Sequence, residues 1–85
     1  MKMFSYTIKD ELGIHARPAG LLVKFVSGFN SDVNIKVGDK TANAKKLFAV
    51  MGLSAKVGDT ITISVSGDDE EDVAERIQKF CEENF

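Results

Sequence analysis

The sequence predicts an α+β fold: a two-layer open-faced sandwich in which three helices cover one face of a four-stranded antiparallel sheet. Two observations predict it. Three stretches alternate apolar and polar residues with the period of a half-buried strand, and three others space their apolar residues for one face of a helix. Strands that alternate this cleanly have one wet face and one covered face, which favours an antiparallel sheet with its helices on one side. The order along the chain is β-α-β-β-α-β-α. At 85 residues, a single domain spanning 1–85 is expected, with one core and no linker.

Each element has its own signature. Phe4, Tyr6 and Ile8 alternate with Ser5 and Thr7 to give the first strand. Leu22, Phe25, Val26 and Phe29 mark a helix between residues 16 and 28, with Pro18 in its first turn, where a missing N–H costs nothing. Val33, Ile35 and Val37 form the second strand. Gly38-Asp39 follows at once and suits a type II′ hairpin turn, so residues 40–43 return as a short partner strand. The stretch 45–53, KKLFAVMGL, reads as a helix too short to stand alone. Ile61, Ile63 and Val65 give the clearest strand. A last helix is expected from Asp68, with Glu71 three residues on as in a capping box and Val73, Ala74, Ile77, Phe80 and Cys81 as its buried stripe. Its further acids suit the positive end of the helix dipole.

Composition excludes several classes of function. No apolar run approaches the roughly 20 residues of a membrane span, and the first residues lack the apolar stretch and cleavage site of a signal peptide. A cytoplasmic protein without membrane insertion is expected. With one cysteine (Cys81) and one histidine (His15), an internal disulfide is impossible and a His/Cys metal site lacks ligands. EF-hand spacing is missing from the acidic run 68–72, which reads as a solvated helix start. The net charge of −2 hides an asymmetry: residues 1–67 carry nine Lys/Arg against five acids, whereas residues 68–85 carry eight acids against two bases. A mildly basic body suits an acidic partner or a phosphate. Nucleic acid is not expected, because the bases are scattered and no aromatic residues interleave with them.

One stretch carries chemistry: Gly13-Ile14-His15-Ala16-Arg17-Pro18-Ala19, a loop leading into the first helix. A neutral imidazole is a competent nucleophile. The helix start offers free backbone N–H groups and a positive dipole end. Arg17 adds a guanidinium suited to phosphate oxygens. These features fit a phosphoryl group placed on the imidazole. They fit equally a solvated histidine at a helix start, and the residues alone leave both readings open.

GIHARPA resembles the active-site signature of the HPr family, the histidine-containing phosphocarriers of the bacterial sugar phosphotransferase system. The resemblance covers essentially the whole chain, since SDVNIKV, NAKKLFAVMGL and GDTITISVSGDDEEDV fall where that family has its second strand, middle helix, last strand and final helix. It implies an HPr-like fold and a carrier in which His15 takes the phosphoryl group on Nδ1. Arg17 would steady that group, and Ala16, Arg17 and Pro18 would shape the helix start around it. Enzyme I would be the donor and sugar-specific IIA domains the acceptors. No cofactor or metal is implied for the carrier itself.

The resemblance also implies a docking surface. Leu47, Phe48 and Met51 share a face of the short helix. Core packing accounts for some of Leu47, Val50 and Leu53, but the family places 47, 48 and 51 on an exposed apolar patch, with at least two of the three expected there. Gly20, Val23 and Lys24, on the outward side of the first helix, would complete it. The chain departs from many relatives at Lys46, where they carry a serine that a dedicated kinase phosphorylates. Lysine cannot accept that phosphate, and its charge sits at the unfavourable end of a helix. Relatives that have become purely regulatory lack the histidine, which this chain keeps. Two rival readings remain: an interaction module for a transcription regulator, and a carrier in a nitrogen-related branch.

Overall fold

The computed structural model describes residues 1–85. Seven elements follow one another: β1 (Lys2–Thr7), α1 (Ala16–Ser27), β2 (Asp32–Val37), β3 (Lys40–Asn43), α2 (Leu47–Met51), β4 (Thr60–Ser66) and α3 (Glu70–Asn84). The four strands form one sheet in the order β1-β4-β2-β3, every neighbouring pair antiparallel. The strand with the clearest alternation, β4, is thus a central one. Its inward residues Ile61, Ile63 and Val65 are at most 1% exposed.

Register places apolar residues opposite one another on the covered face. Ile63 stands between Phe4 of β1 and Ile35 of β2, and Ile35 also faces Ala42 of β3. Burying an aliphatic side chain of this size contributes roughly 1.5–3 kcal/mol, so this row is a main source of stability. The opposite face is polar. Ser5 and Thr62 share a hydroxyl hydrogen bond of 3.2 Å, as do Thr7 and Thr60. The β2–β3 turn is as expected: Gly38 has φ +58° while Asp39 does not enter the positive-φ region, which fits type II′ and excludes type I′.

Helices close the covered face. Leu22 and Val26 of α1 and Val73, Ile77 and Cys81 of α3 are fully buried. Phe25 stacks on Phe80 at 5.1 Å and meets Phe29 edge-on at 5.2 Å, so an aromatic seam joins α1 to α3. α2 leans on α1 and β3.

Two helix limits differ from expectation. α2 spans only residues 47–51, because the stretch before it is a turn held by Asn43. The Asn43 side chain accepts from the Lys45 N–H at 2.9 Å, and its carbonyl accepts from the Lys46 N–H at 3.0 Å. At the other end, the chain leaves through Gly52 into Ser54, whose φ is +55°. α3 starts at Glu70 with Asp69, not Asp68, in the N-cap position, and the capping box does not form. The Asp69 carboxylate is taken by Ser31, a buried hydroxyl that has to be paired. Instead, Glu70 reaches back to the Gly67 N–H at 3.4 Å and lies 2.6 Å from the Met1 amino group, which holds its carboxyl below the usual range. Glu70, Glu71 and Asp72 do occupy the first turn, as the dipole favours.

Candidate functional site

The loop between β1 and α1 is strapped down along its length. Ile8 exchanges backbone hydrogen bonds with the 58–59 turn, donating to Asp59 at 2.9 Å and accepting from Gly58 at 2.9 Å. The Lys9 and Asp10 amides both donate to the backbone oxygen of Phe85, at 2.6 and 2.7 Å. Gly13 N–H then returns to the Asp10 carbonyl at 2.9 Å, and Ile14 N–H reaches the Ala55 carbonyl at 3.0 Å. Gly13 is needed here. Its φ is +66°, and a Cβ would sit 2.2 Å from the Ala55 oxygen.

His15 emerges from this loop as the N-cap residue of α1, in extended conformation (φ −104°, ψ 179°), with its side chain making no capping bond. The imidazole is 35% exposed. Its carbonyl accepts from the Ala19 N–H at 3.0 Å, which starts the helix. The Ala16 and Arg17 amides, in the first turn, have no partner inside the helix, and Pro18 offers none. Two donors and the positive dipole end therefore lie at the end of α1 that His15 caps.

His15, Arg17 and Pro18 line one shallow depression of about 320 Å³, together with Asp10, Leu21, Glu83 and Asn84. The Asp10 carboxylate faces one ring nitrogen: its Oδ2 lies 3.9 Å from His15 Nε2. Its other oxygen, Oδ1, accepts from the Leu12 N–H at 2.9 Å. Nδ1 is thus the ring nitrogen that Asp10 does not face.

The residues expected to dock partners are not equally exposed. Phe48 is 85% exposed, whereas Leu47 and Met51 are half-buried and also packed against the core. A five-residue helix must spend most of its apolar side chains on its own attachment. Lys24 is exposed and Gly20 half-exposed, whereas Val23 also leans on the core. Lys46 is the exposed N-cap residue of α2 and makes no side-chain capping bond. Lys45 is spoken for: its Nζ donates to the Phe29 carbonyl at 2.8 Å.

Sequence reasoning passed over Asp10, Leu12, Leu21 and Glu83. Leu21 and Glu83 line the depression, and Leu12, in the loop before His15, is 72% exposed. A signal for Asp10 was present: Asp-Glu-Leu-Gly has Asp first and Gly fourth, the preference of a tight turn that carries the chain back on itself. Glu83 is far away in sequence, and only the docking of α3 brings it near.

Comparison with known proteins identifies the fold and the family. The family model described as PTS HPr component phosphorylation site matches residues 2–83. The phosphocarrier protein HPr of Lysinibacillus sphaericus is 42% identical over 77 residues, covering 91% of this chain and 88% of that protein. A crystal structure of HPr from Thermoanaerobacter tengcongensis superposes with a TM-score of 0.92 at 35% identity, covering 100% of this chain and 96% of that one. A histidine-containing phosphocarrier protein from Mycoplasma gives 0.90 at 37% identity, covering 93% and 90%. The fold is the HPr fold, an open antiparallel sheet of four strands with three helices. The chain belongs to the HPr family of phosphocarrier proteins of the phosphotransferase system. No helix is long and apolar enough to cross a membrane.

Proposed function

We propose that this chain carries a phosphoryl group on His15 Nδ1, taking it from phosphorylated Enzyme I and passing it to sugar-specific IIA domains. The observation that carries the reading is the placement of His15. It is a part-exposed imidazole that makes no capping bond, at the start of α1, in the same depression as Arg17. A phosphoryl group on Nδ1 would meet the Ala16 and Arg17 amides and the positive end of the helix. Arg17 supplies a planar donor set for the phosphoryl oxygens and spreads the charge that builds up in transfer.

Partners dock on the rim. Phe48 provides the exposed apolar anchor, with Leu47, Met51, Gly20, Val23 and Lys24 around it. Lysine and arginine on this side favour an acidic partner surface and fast encounter. The residues fold as one HPr domain, and the carrier works in the cytoplasm with no cofactor of its own.

Intact-mass spectrometry after incubation with phosphoenolpyruvate and a bacterial Enzyme I tests the reading. The expected result is one acid-labile phosphate, absent from His15→Ala. No added phosphate under conditions that charge a control HPr would refute it.

A further inference from the structure

We propose that Asp10 is a positioning residue for His15: it holds the Nε2 proton, and so keeps the Nδ1 lone pair free to attack phosphorus. The inference rests on the carrier reading of His15 given above and names a group that reading does not use.

The geometry is specific to one oxygen. Asp10 Oδ1 is tied to the Leu12 N–H at 2.9 Å, which leaves Oδ2 as the atom that faces Nε2, at 3.9 Å. The backbone around it is held as well: the Asp10 N–H donates to Phe85 at 2.7 Å and the Asp10 carbonyl accepts from Gly13 at 2.9 Å. Asp10 is therefore not a loose surface acid. Its carboxylate is the only one within 4.0 Å of the imidazole. Glu83 lines the same depression but makes no such approach. The separation is within ion-pair range and just beyond hydrogen-bond length, and contacts of this kind tighten when the reacting complex forms.

A carboxylate facing one ring nitrogen decides the tautomer. A neutral imidazole has one N–H and one lone pair, and an acceptor beside Nε2 draws the N–H to that side. The lone pair then belongs to Nδ1. In the transfer step, the Nδ1 pair forms the bond to phosphorus while the donor's bond to phosphorus breaks and its pair leaves with the donor. The Nε2 proton stays on the ring. The ring gains positive charge, and Asp10 is placed to stabilise it. On handing the group on, the Nδ1–phosphorus pair returns to Nδ1 and the charge is lost again. The logic is that of a histidine oriented by a buried acid in acyl transfer, applied to an exposed imidazole.

Asp10→Asn tests this with little change of shape. Its Oδ1 still accepts from Leu12, but an amide N–H now faces Nε2 and favours the opposite tautomer. Asp10→Ser keeps a turn acceptor and removes the facing group. The first readout is the pair of ¹⁵N shifts of the His15 ring in the neutral form, which needs no partner protein. The expected result is an Nε2–H form in the wild type and a shift of the tautomer ratio toward Nδ1–H by about fivefold in Asp10→Asn, the scale of a unit charge about 4 Å away in water. Asp10→Ser should fall between the two. The second readout is the rate of charging by phosphorylated Enzyme I, expected to fall by about tenfold in Asp10→Asn, with the phosphate still on His15 and the urea midpoint unchanged. A tautomer ratio that stays within about twofold of wild type in both variants overturns the inference, even if charging slows. A wild type that takes no phosphate overturns the carrier reading instead, and the ring shifts still judge Asp10.

Discussion

Two glycine-to-alanine substitutions, seven residues apart, should change stability in opposite directions. In Gly13→Ala two penalties combine. The backbone φ of +66° costs a residue with a Cβ about 1–2 kcal/mol. The new methyl would also lie 2.2 Å from the Ala55 oxygen and 2.8 Å from the Lys56 Cα. Both atoms are backbone, so no side chain can swing aside. Relief requires parting two loops joined by the 3.0 Å bond from Ile14 to Ala55. Overpacking of this kind costs about 1–3 kcal/mol. Together they come to about 2–5 kcal/mol, a large share of the roughly 5–15 kcal/mol that holds a typical small domain together. Gly20→Ala meets the reverse situation. It lies inside α1, and a Cβ there finds nothing within 4 Å. Removing a helical glycine should stabilise by about 0.5–1 kcal/mol. Urea unfolding followed by far-UV circular dichroism reads both effects. Gly13→Ala should lower the midpoint by about 1 M or more, given a slope of about 1–2 kcal/mol/M, and Gly20→Ala should raise it slightly. A Gly13→Ala midpoint close to wild type would refute the steric argument.

Other substitutions and conditions test other links. The Cys81 thiol is 0% exposed, and burial, helped by the neighbouring charge of Glu82, pushes its pKa up to about 12. It should react with a thiol reagent only through unfolding, so that labelling slows as urea is withdrawn; fast labelling of the native protein would contradict the burial. The same shift gives a sign at high pH. The unfolded thiol ionises from about pH 8.5, whereas the folded one keeps its proton to about 12, so its contribution to stability declines between those values as pH rises. Ser54 holds φ +55° without being a glycine; Ser54→Gly should stabilise by up to about 1 kcal/mol, seen as a higher melting temperature. Phe48 is 85% exposed, so Phe48→Ala should leave stability within about 0.5 kcal/mol but raise the KM for transfer; an unchanged KM would remove Phe48 from the docking surface.

Much of this fold was legible because its strands obey one rule. Each inward position of β4 and β2 is apolar and each outward one polar, so period, face and antiparallel sense all followed from the sequence. Strand order did not follow. It depends on β4 pairing with both β1 and β2 across long separations, and nothing local in the alternation encodes a partner. Helix limits were misjudged at two places. The cap expected at Asp68 falls instead to Asp69, whose carboxylate is claimed by the distant Ser31, and a local turn at Asn43 delays α2 from residue 45 to residue 47. The candidate site divides the same way. His15 and Arg17 lie in one short motif, whereas Asp10 and Glu83 join them only through a turn and the packing of α3.

The burial pattern through the motif explains how an exposed group is kept in place. Gly13 and Ile14 are buried, His15 is partly exposed, Ala16 and Arg17 are exposed, and Pro18 and Ala19 are buried again. The chain dips into the core, crosses the surface for three residues, and dips back. Phosphoryl transfer between proteins needs the reacting atom accessible to a partner, and it also needs that atom held to a fraction of an ångström. A flexible loop would meet only the first need. Here the accessible residues are short and pinned at both ends, by Ile14 on the Ala55 segment and by Ala19 in the first turn of α1. That is why the Gly13 penalty is a matter of function as well as stability. Parting the two loops would loosen the floor on which His15 stands, so Gly13→Ala should lose charging rate even at temperatures where it remains folded.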